Sequence, residues 1–325
     1  MSDRAGKRGR PAGHVAVIGA GIGGLAAALR LAHAGERVTV LERHAHPGGK
    51  MRALPTPAGP ADAGPTVFTL RPFFDTLFAD VGERLEDHLA LEAEPLLARH
   101  WRRDGSSLDL HADPEASAEA VRAFAGPRAE AEFRRFSAEA ARLFRAFETP
   151  VMRSHRPDMG GILGALLADP GIARHLMPAR SLWGALGRQF SDPRLRQLFG
   201  RYATYVGGSP FRTPALLMLV WHAESMGVWR LRGGMAGLAR VVEGLAKARG
   251  AAFRYGDGAR RIVPQGDGTL IVERESGPAL HVERVVYNGD PAALAGGLLA
   301  GASRDTAPRA ARRAPRALSA YVWAF

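Results

Sequence analysis

Apolar residues recur along the chain in two rhythms. Residues 15–18 form a continuous apolar run rich in β-branched side chains, which predicts a strand buried on both faces. Residues 25–34 predict an apolar helix, and 37–41 return to a strand that ends at Glu42. Further on, Phe73, Phe74, Leu77, Phe78 and Val81 predict a helix over 72–90. Residues 96–103 and 106–111 alternate on either side of Asp104-Gly105, a strong hairpin turn. Amphipathic helices are expected over 114–147 and 160–200, interrupted at Pro150, Pro157, Pro170 and Pro178. A helix around 234–248 leads into a β-meander over 251–287, with Gly266-Asp267-Gly268 as a turn. Residues 318–325 alternate like a strand. Helices interleaved with strands make the fold class α/β.

The first strand runs into Gly19, Gly21 and Gly24 at G-x-G-x-x-G spacing, with Ala20 and Gly23 between them. Strand, glycine turn, helix, second strand and closing acid all follow in order, the dinucleotide-binding βαβ fingerprint. Gly19 permits the tight turn out of the strand, and Gly21 lets the backbone approach a pyrophosphate. Gly24 allows close packing of helix on strand. The N–H groups of the first helical turn and the helix dipole favour the phosphates. Glu42 is placed to accept hydrogen bonds from ribose hydroxyls, which argues against a 2′-phosphate. A secretory signal is the competing reading, since Lys7, Arg8 and Arg10 precede the apolar run and Ala32-His33-Ala34 mimics a cleavage site. Glycines breaking that run at ligand spacing, and the strand that follows, exclude it.

Composition narrows the partners. The net charge is +12 over 325 residues, so nucleic acid has to be weighed. The basicity is scattered arginine, with lysine confined to Lys7, Lys50 and Lys247, and no nucleic-acid-binding motif is present, so no nucleic acid partner is expected. An anionic membrane surface is the better electrostatic partner. With no cysteine, disulfides, thiolate metal sites and a cysteine nucleophile are excluded, and a reducing cytoplasm fits. The histidines lack ligand spacing, so no metal is expected. The longest clear apolar run, 215–221, falls short of the ~20 residues a membrane-crossing helix needs.

Further motifs carry a family resemblance. Glu42-Arg43 is followed by Gly48-Gly49 and Lys50-Met51-Arg52, a second glycine pair that NAD binding does not need. It resembles the E-R-x-x-x-x-G-G signature of FAD enzymes of the amine oxidase and phytoene desaturase superfamily. Asp62-Ala63-Gly64-Pro65-Thr66-Val67 resembles the D-x-G-P-T segment of its bacterial carotenoid desaturases. Tyr202-Ala203-Thr204-Tyr205-Val206-Gly207-Gly208-Ser209-Pro210 is similar to a Y-x-G-x-x-P segment. Glu224-Ser225-Met226-Gly227-Val228-Trp229 with Gly233-Gly234-Met235 is similar to E-x-x-G-V-W…G-G-M. Val285-Val286-Tyr287-Asn288-Gly289-Asp290-Pro291 resembles V-V-x-N-A-D-P, with Gly289 in place of alanine.

The resemblance implies an FAD-binding, Rossmann-like (GR2-type) domain over 14–91 and 231–304. It implies an inserted α+β substrate and membrane-associating domain over 92–230 and 305–325, after a disordered basic arm, 1–13. It implies FAD contacts from Gly19, Ala20, Gly21, Gly23, Gly24, Glu42, Arg43, Gly48, Gly49, Lys50, Met51, Gly64, Pro65, Thr66, Ile262 and Asn288. The implied activity is desaturation of an acyclic hydroxy- or methoxy-carotenoid by hydride transfer to flavin, with quinone or oxygen as the final acceptor. The implied location is the cytoplasmic face of the inner membrane, held peripherally. Family members continue past Phe325, so the chain reads as C-terminally truncated. Other flavin oxidoreductases of the superfamily, such as an amine or protoporphyrinogen oxidase, and a non-enzymatic truncated partner are the alternatives.

A general base would be a carboxylate or histidine, and Glu224, His222 and Asp290 are the candidates. The plainer reading of Glu224 is a buried carboxylate paired with Arg230 or Arg232. For Asp62 a turn or helix-capping role is expected. Arg153, His155, Arg156, Arg174, His175 and Arg180 lie among apolar residues of 152–183, which suits either an interfacial helix pair or an ordinary bundle with solvated arginines.

Overall fold

A computed structural model of the chain describes residues 13–176, 181–296 and 322–323. The expected basic arm lies outside these residues except for Gly13, whose N–H donates to Glu36 at 2.9 Å. Arg180, and the strand expected at 318–325 apart from Val322 and Trp323, lie outside them too. The described residues divide into two compact units, 13–92 with 230–296 and 322–323, and 93–176 with 181–229.

The first unit is built on a parallel sheet. Strand β1 (His14–Ile18) is central, flanked by β2 (Arg37–Glu42) on one side and the strand Arg284–Tyr287 on the other. The strand Ala252–Tyr255 adds to the far edge of β2. Helix α1 (Ile22–His33) connects β1 to β2 and lies against both. It closes through Gly35 at φ +84°, a conformation glycine adopts without strain. Side chains alternate across β1. Ala16 and Ile18 pack with Leu41, Val272 and Val282, under a separate antiparallel sheet. That sheet comprises Ala259–Pro264, Leu270–Arg274 and Leu280–Val282. The meander expected over 251–287 is therefore shorter. Its first and last strands leave it to pair in parallel with β2 and β1, where the open edges of the main sheet offer their main chain hydrogen-bonding partners. The helix expected over 72–90 spans only Arg71–Ala79, since Gly82 turns the chain at φ +77°.

The second unit is mainly helical. An antiparallel hairpin, Leu96–Trp101 with Ser107–His111, precedes a long helix, Pro114–Phe147, that kinks at Gly126, φ +88°, beside Pro127. Its core is aromatic: Phe133, Phe136, Phe190, Phe199 and Trp221 pack together, with ring centroids 4.5–6.0 Å apart. Over 160–200 the chain forms short helices, three of them opened by an acid or serine that accepts a backbone N–H: Asp158 for Met159–Ala168, Ser181 for Leu182–Gln189, Asp192 for Pro193–Gly200. Met159–Ala168 departs from the amphipathic expectation, carrying no polar side chain at all. No helix of the described residues is long and apolar enough to cross a membrane.

Candidate functional site

The carboxyl end of β1 turns at Gly19, φ +98°, whose N–H donates to Leu41 O at 2.8 Å. A Cβ on Gly24 would lie 2.0 Å from Gly19 O, so this turn admits only hydrogen there. No side chain caps α1 and its first turn carries no acid, leaving its leading N–H groups available to an anion. Asn288, at the end of the adjacent strand, holds the same turn. Its N–H donates to Ile18 O at 2.8 Å, and its Nδ2 lies 3.4 Å from Gly19 O. A Cβ on Gly21 would sit 3.0 Å from Asn288 Nδ2, and one on Gly23 2.7 Å from Oδ1. These glycines therefore make room for a neighbouring side chain as well as for any ligand.

A second glycine loop lies against the first. Gly48 N–H donates to Ala20 O at 2.8 Å, and Gly21 and Gly48 form an isolated parallel bridge. A Cβ on Gly49, φ +59°, would meet Gly21 Cα at 3.2 Å. One on Gly48 would lie 2.3 Å from Met51 O. A third loop follows the hairpin of β3 (Ala53–Thr56) and β4 (Gly59–Asp62). There a Cβ on Gly64 would lie 1.8 Å from Lys50 O, and Ala63 N–H donates to Arg52 O at 2.8 Å. Asp62 accepts from Met235 N–H at 2.9 Å, capping the helix Gly234–Ala248, the capping role expected of it. Gly19, Ala20, Gly21, Gly23, Gly24, Gly48, Gly49, Lys50, Met51, Gly64 and Asn288 thus share one cradle of main chain. Gly23, Lys50, Gly64, Pro65 and Thr66 are exposed along it, and Met51 is buried beneath.

Glu42 is buried, and both its oxygens already hold main-chain donors: Oε2 accepts from Ala20 N–H at 2.7 Å and Oε1 from His44 N–H at 2.9 Å. It anchors the glycine turn, and each oxygen keeps a second lone pair for a hydroxyl. Arg43 beside it is exposed. Ile262 is a buried core residue opposite Val272 in the antiparallel sheet, not a loop residue.

Two of the three candidate bases are engaged elsewhere. Asp290 accepts from Ala292 N–H at 2.8 Å and caps Pro291–Ala295. Glu224, on the helix Leu219–Ser225 of the second unit, is buried and saturated. It accepts from Arg201 at 2.8 Å, Tyr202 OH at 2.8 Å and Tyr205 OH at 2.5 Å. Arg201 is its partner in place of Arg230 and Arg232, which lie 3.4 and 3.6 Å from Glu92. Burial and the Glu224 carboxylate push the Tyr205 phenol up to about 12 and Tyr202 well above its ordinary value, so both remain donors. Tyr202 and Tyr205 lie in the segment similar to Y-x-G-x-x-P, but nothing local ties them or Arg201 to an acid some 20 residues on. His222 packs edge-on against Phe144, and burial with the Arg145 charge holds its imidazole below the usual range. No group of three or more potential metal ligands occurs among the described residues.

A profile of the flavin containing amine oxidoreductase family matches residues 22–322. The hydroxyneurosporene desaturase of Cereibacter sphaeroides is 50% identical over 311 residues, covering 96% of this chain and 63% of the relative. The phytoene dehydrogenase of Streptomyces griseus is 39% identical over 272 residues, 81% of this chain and 51% of the relative. The chain thus spans about six-tenths or less of these relatives' length. Among solved structures, putrescine oxidase bound to putrescine superposes with a TM-score of 0.61 at 18% identity, covering 87% of this chain and 59% of that one. Cyclohexylamine oxidase from Brevibacterium oxydans gives 0.57 at 17% identity, covering 89% and 60%. At such identities the likeness is one of fold.

Proposed function

The chain belongs to the flavin containing amine oxidoreductase family, and from that premise we propose that it binds FAD and serves the desaturation of an acyclic hydroxy- or methoxy-carotenoid. The observation that carries the reading is the cradle. Three glycine loops approach so closely that added methyl groups would strike main chain, which leaves uncapped N–H groups at the start of α1 beside main chain that a phosphate can approach. In this reading the N–H groups after Gly21 receive the pyrophosphate, Glu42 the ribose hydroxyls, and the loops at Gly48–Met51 and Gly64–Thr66 line the path towards the flavin, beside Asn288. Arg43 and Ile262 belong to the proposed contact set by resemblance alone. When bound, FAD supplies a two-electron acceptor for an allylic hydrogen.

The chain's own residues orient the substrate and exclude water. In this reading Glu224 is not the base, because Arg201, Tyr202 and Tyr205 occupy its carboxylate, and Asp290 serves first as a helix cap through Oδ1. His222 remains as a neutral imidazole. Quinone or oxygen receives the electrons afterwards. We place FAD on 14–91 and 231–304 and the carotenoid on 92–230 and 305–325, peripherally at the cytoplasmic face of the inner membrane. The identity to hydroxyneurosporene desaturases supports the substrate class.

Two measurements in sequence test the reading. Flavin released from the purified chain should be FAD, close to one per chain. The FAD-loaded protein, given an acyclic hydroxycarotenoid and a quinone, should then yield a product with one more conjugated double bond by chromatography. FAD-loaded protein that leaves the carotenoid unchanged overturns the substrate assignment.

A further inference from the structure

Away from the glycine cradle, the second unit bears a cleft of about 260 Å³ lined by Arg174, His175, Ala185, Arg188 and Gln189. The helices Ala173–Leu176 and Leu182–Gln189 supply these residues. All but Ala185 carry a hydrogen-bonding side chain, and no acid stands among them.

The nearby acids are already engaged. Glu139, buried on the long helix Pro114–Phe147, meets Arg174 Nη2 at 2.8 Å and His175 Nε2 at 2.5 Å through one oxygen. Its other oxygen lies 3.5 Å from Arg142. Asp169 faces Arg142 at 3.1 Å and accepts from Gly171 N–H at 3.2 Å. Arg142 and Arg174 thus take up both carboxylates. Arg188 is exposed on the cleft and has no ion-pair partner among the described residues. Two guanidiniums line one cleft and only one of them has an acid, so the cleft keeps a positive charge that a bound anion would neutralise.

His175 decides which anion. The residue is only 5% exposed. The Glu139 carboxylate at 2.5 Å accepts the Nε2 proton, and burial holds the imidazole below its usual range, so the ring is neutral and Nδ1 is an acceptor. Nδ1 has no partner among the described residues. An oxyanion without a proton would meet a lone pair there. A phosphate that retains a proton would not: its P–OH can donate to Nδ1 while its anionic oxygens accept from the Arg188 fork and the Gln189 carboxamide.

We infer that this cleft is a binding site for a phosphate group that retains a proton, held by Arg188 and Gln189 through its anionic oxygens and by His175 through its P–OH. The site is built from the second unit alone and stands apart from the FAD reading.

Isothermal titration calorimetry of the full chain near pH 7 tests it, with inorganic phosphate and sulfate at matched ionic strength. Phosphate should bind saturably. Sulfate, the same shape without a proton, should bind about tenfold or more weakly. Arg188→Gln should weaken phosphate about tenfold or more, and Arg188→Lys, which keeps the charge and loses the fork, by an intermediate factor. Arg188 is exposed, so both variants should keep the wild-type melting temperature. Arg103→Gln removes an exposed charge from the hairpin turn and should leave binding within about twofold. Replacing His175 would strand Glu139 and endanger the fold, so the sulfate comparison tests the imidazole in the unaltered protein. Glycerol 2-phosphate near pH 6, where a monoester keeps about half of its second proton, separates two sources of the ligand. An ester bound as tightly as inorganic phosphate at that pH assigns the site to a phosphate monoester, and a weaker one assigns it to free phosphate. Wild type without saturable phosphate binding, sulfate bound as tightly as phosphate, or Arg188→Gln binding like wild type each overturns the inference. So does Arg103→Gln weakening phosphate as much as Arg188→Gln, which would make the attraction one of diffuse surface charge.

Discussion

The cradle around Gly21 and the cluster around Glu224 are held together by opposite means. The cradle is main chain against main chain, with glycines where a single methyl group has no room. The cluster is side chain against side chain, one carboxylate gathering an arginine and two phenols. A backbone site is spoiled by adding an atom, and a side-chain site by removing one.

The sharpest way to test that contrast is to add atoms to the cradle. Gly24→Ala and Gly64→Ala would set Cβ 2.0 and 1.8 Å from a carbonyl oxygen. Each should cost more than about 3 kcal/mol, or prevent folding, in urea denaturation, and FAD should be lost with it. Removing atoms from the cluster should come next. Glu224→Ala strands Arg201 and the buried Tyr202 hydroxyl and frees the Tyr205 hydroxyl, and should destabilise by about 2–4 kcal/mol, discounted because Arg201 is a third exposed. Tyr205→Phe removes one hydrogen bond to a charged acceptor and should cost about 1–2 kcal/mol. A cluster that tolerates Glu224→Ala while the cradle also tolerates Gly24→Ala would erase the distinction.

Titration sharpens it further. Burial holds His100, His175 and His222 in the second unit, and His14 in the first, below the ordinary histidine range. The unfolded chain then binds more protons near pH 6.5, so stability is full above that value and falls as pH drops, by up to about 1.4 kcal/mol per pH unit per histidine. On the alkaline side, Tyr205 is raised to about 12, so its contribution is present below pH 10 and lost as pH rises towards 12. Melting temperatures across pH 5–8 and 9–12 check both limbs. The smallest effect is a gain: Gly244, exposed within the helix Gly234–Ala248, has open space where Cβ would stand. Gly244→Ala should stabilise by about 0.5–1 kcal/mol.

Legibility divides along the same line. β1, α1 and β2 were readable because local pattern and glycine spacing dictate them, and so was Asp104-Gly105 in its hairpin. Asp62 as a cap was expected, though its helix begins 172 positions later, at Gly234. Glu224 was read as a paired buried acid, but with the wrong arginines, because choosing Arg201 over Arg230 depends on how helices pack. The meander was overextended because strands that join a distant sheet look locally like strands that join their neighbours. Ile262 follows the same logic: its pattern marks a strand, and only the pairing with Val272 shows it to be core.

The central position of β1 also sets a schedule. Its first neighbour, β2, leaves the ribosome almost immediately. Its second, Arg284–Tyr287, is made some 269 residues after it. At about 5–20 residues per second, the β1 edge waits on the order of 10–60 s for its partner. During that interval an apolar V-A-V-I edge stands open to any strand that passes, so nascent chains of this protein should depend on holdase chaperones until residue 287 has emerged.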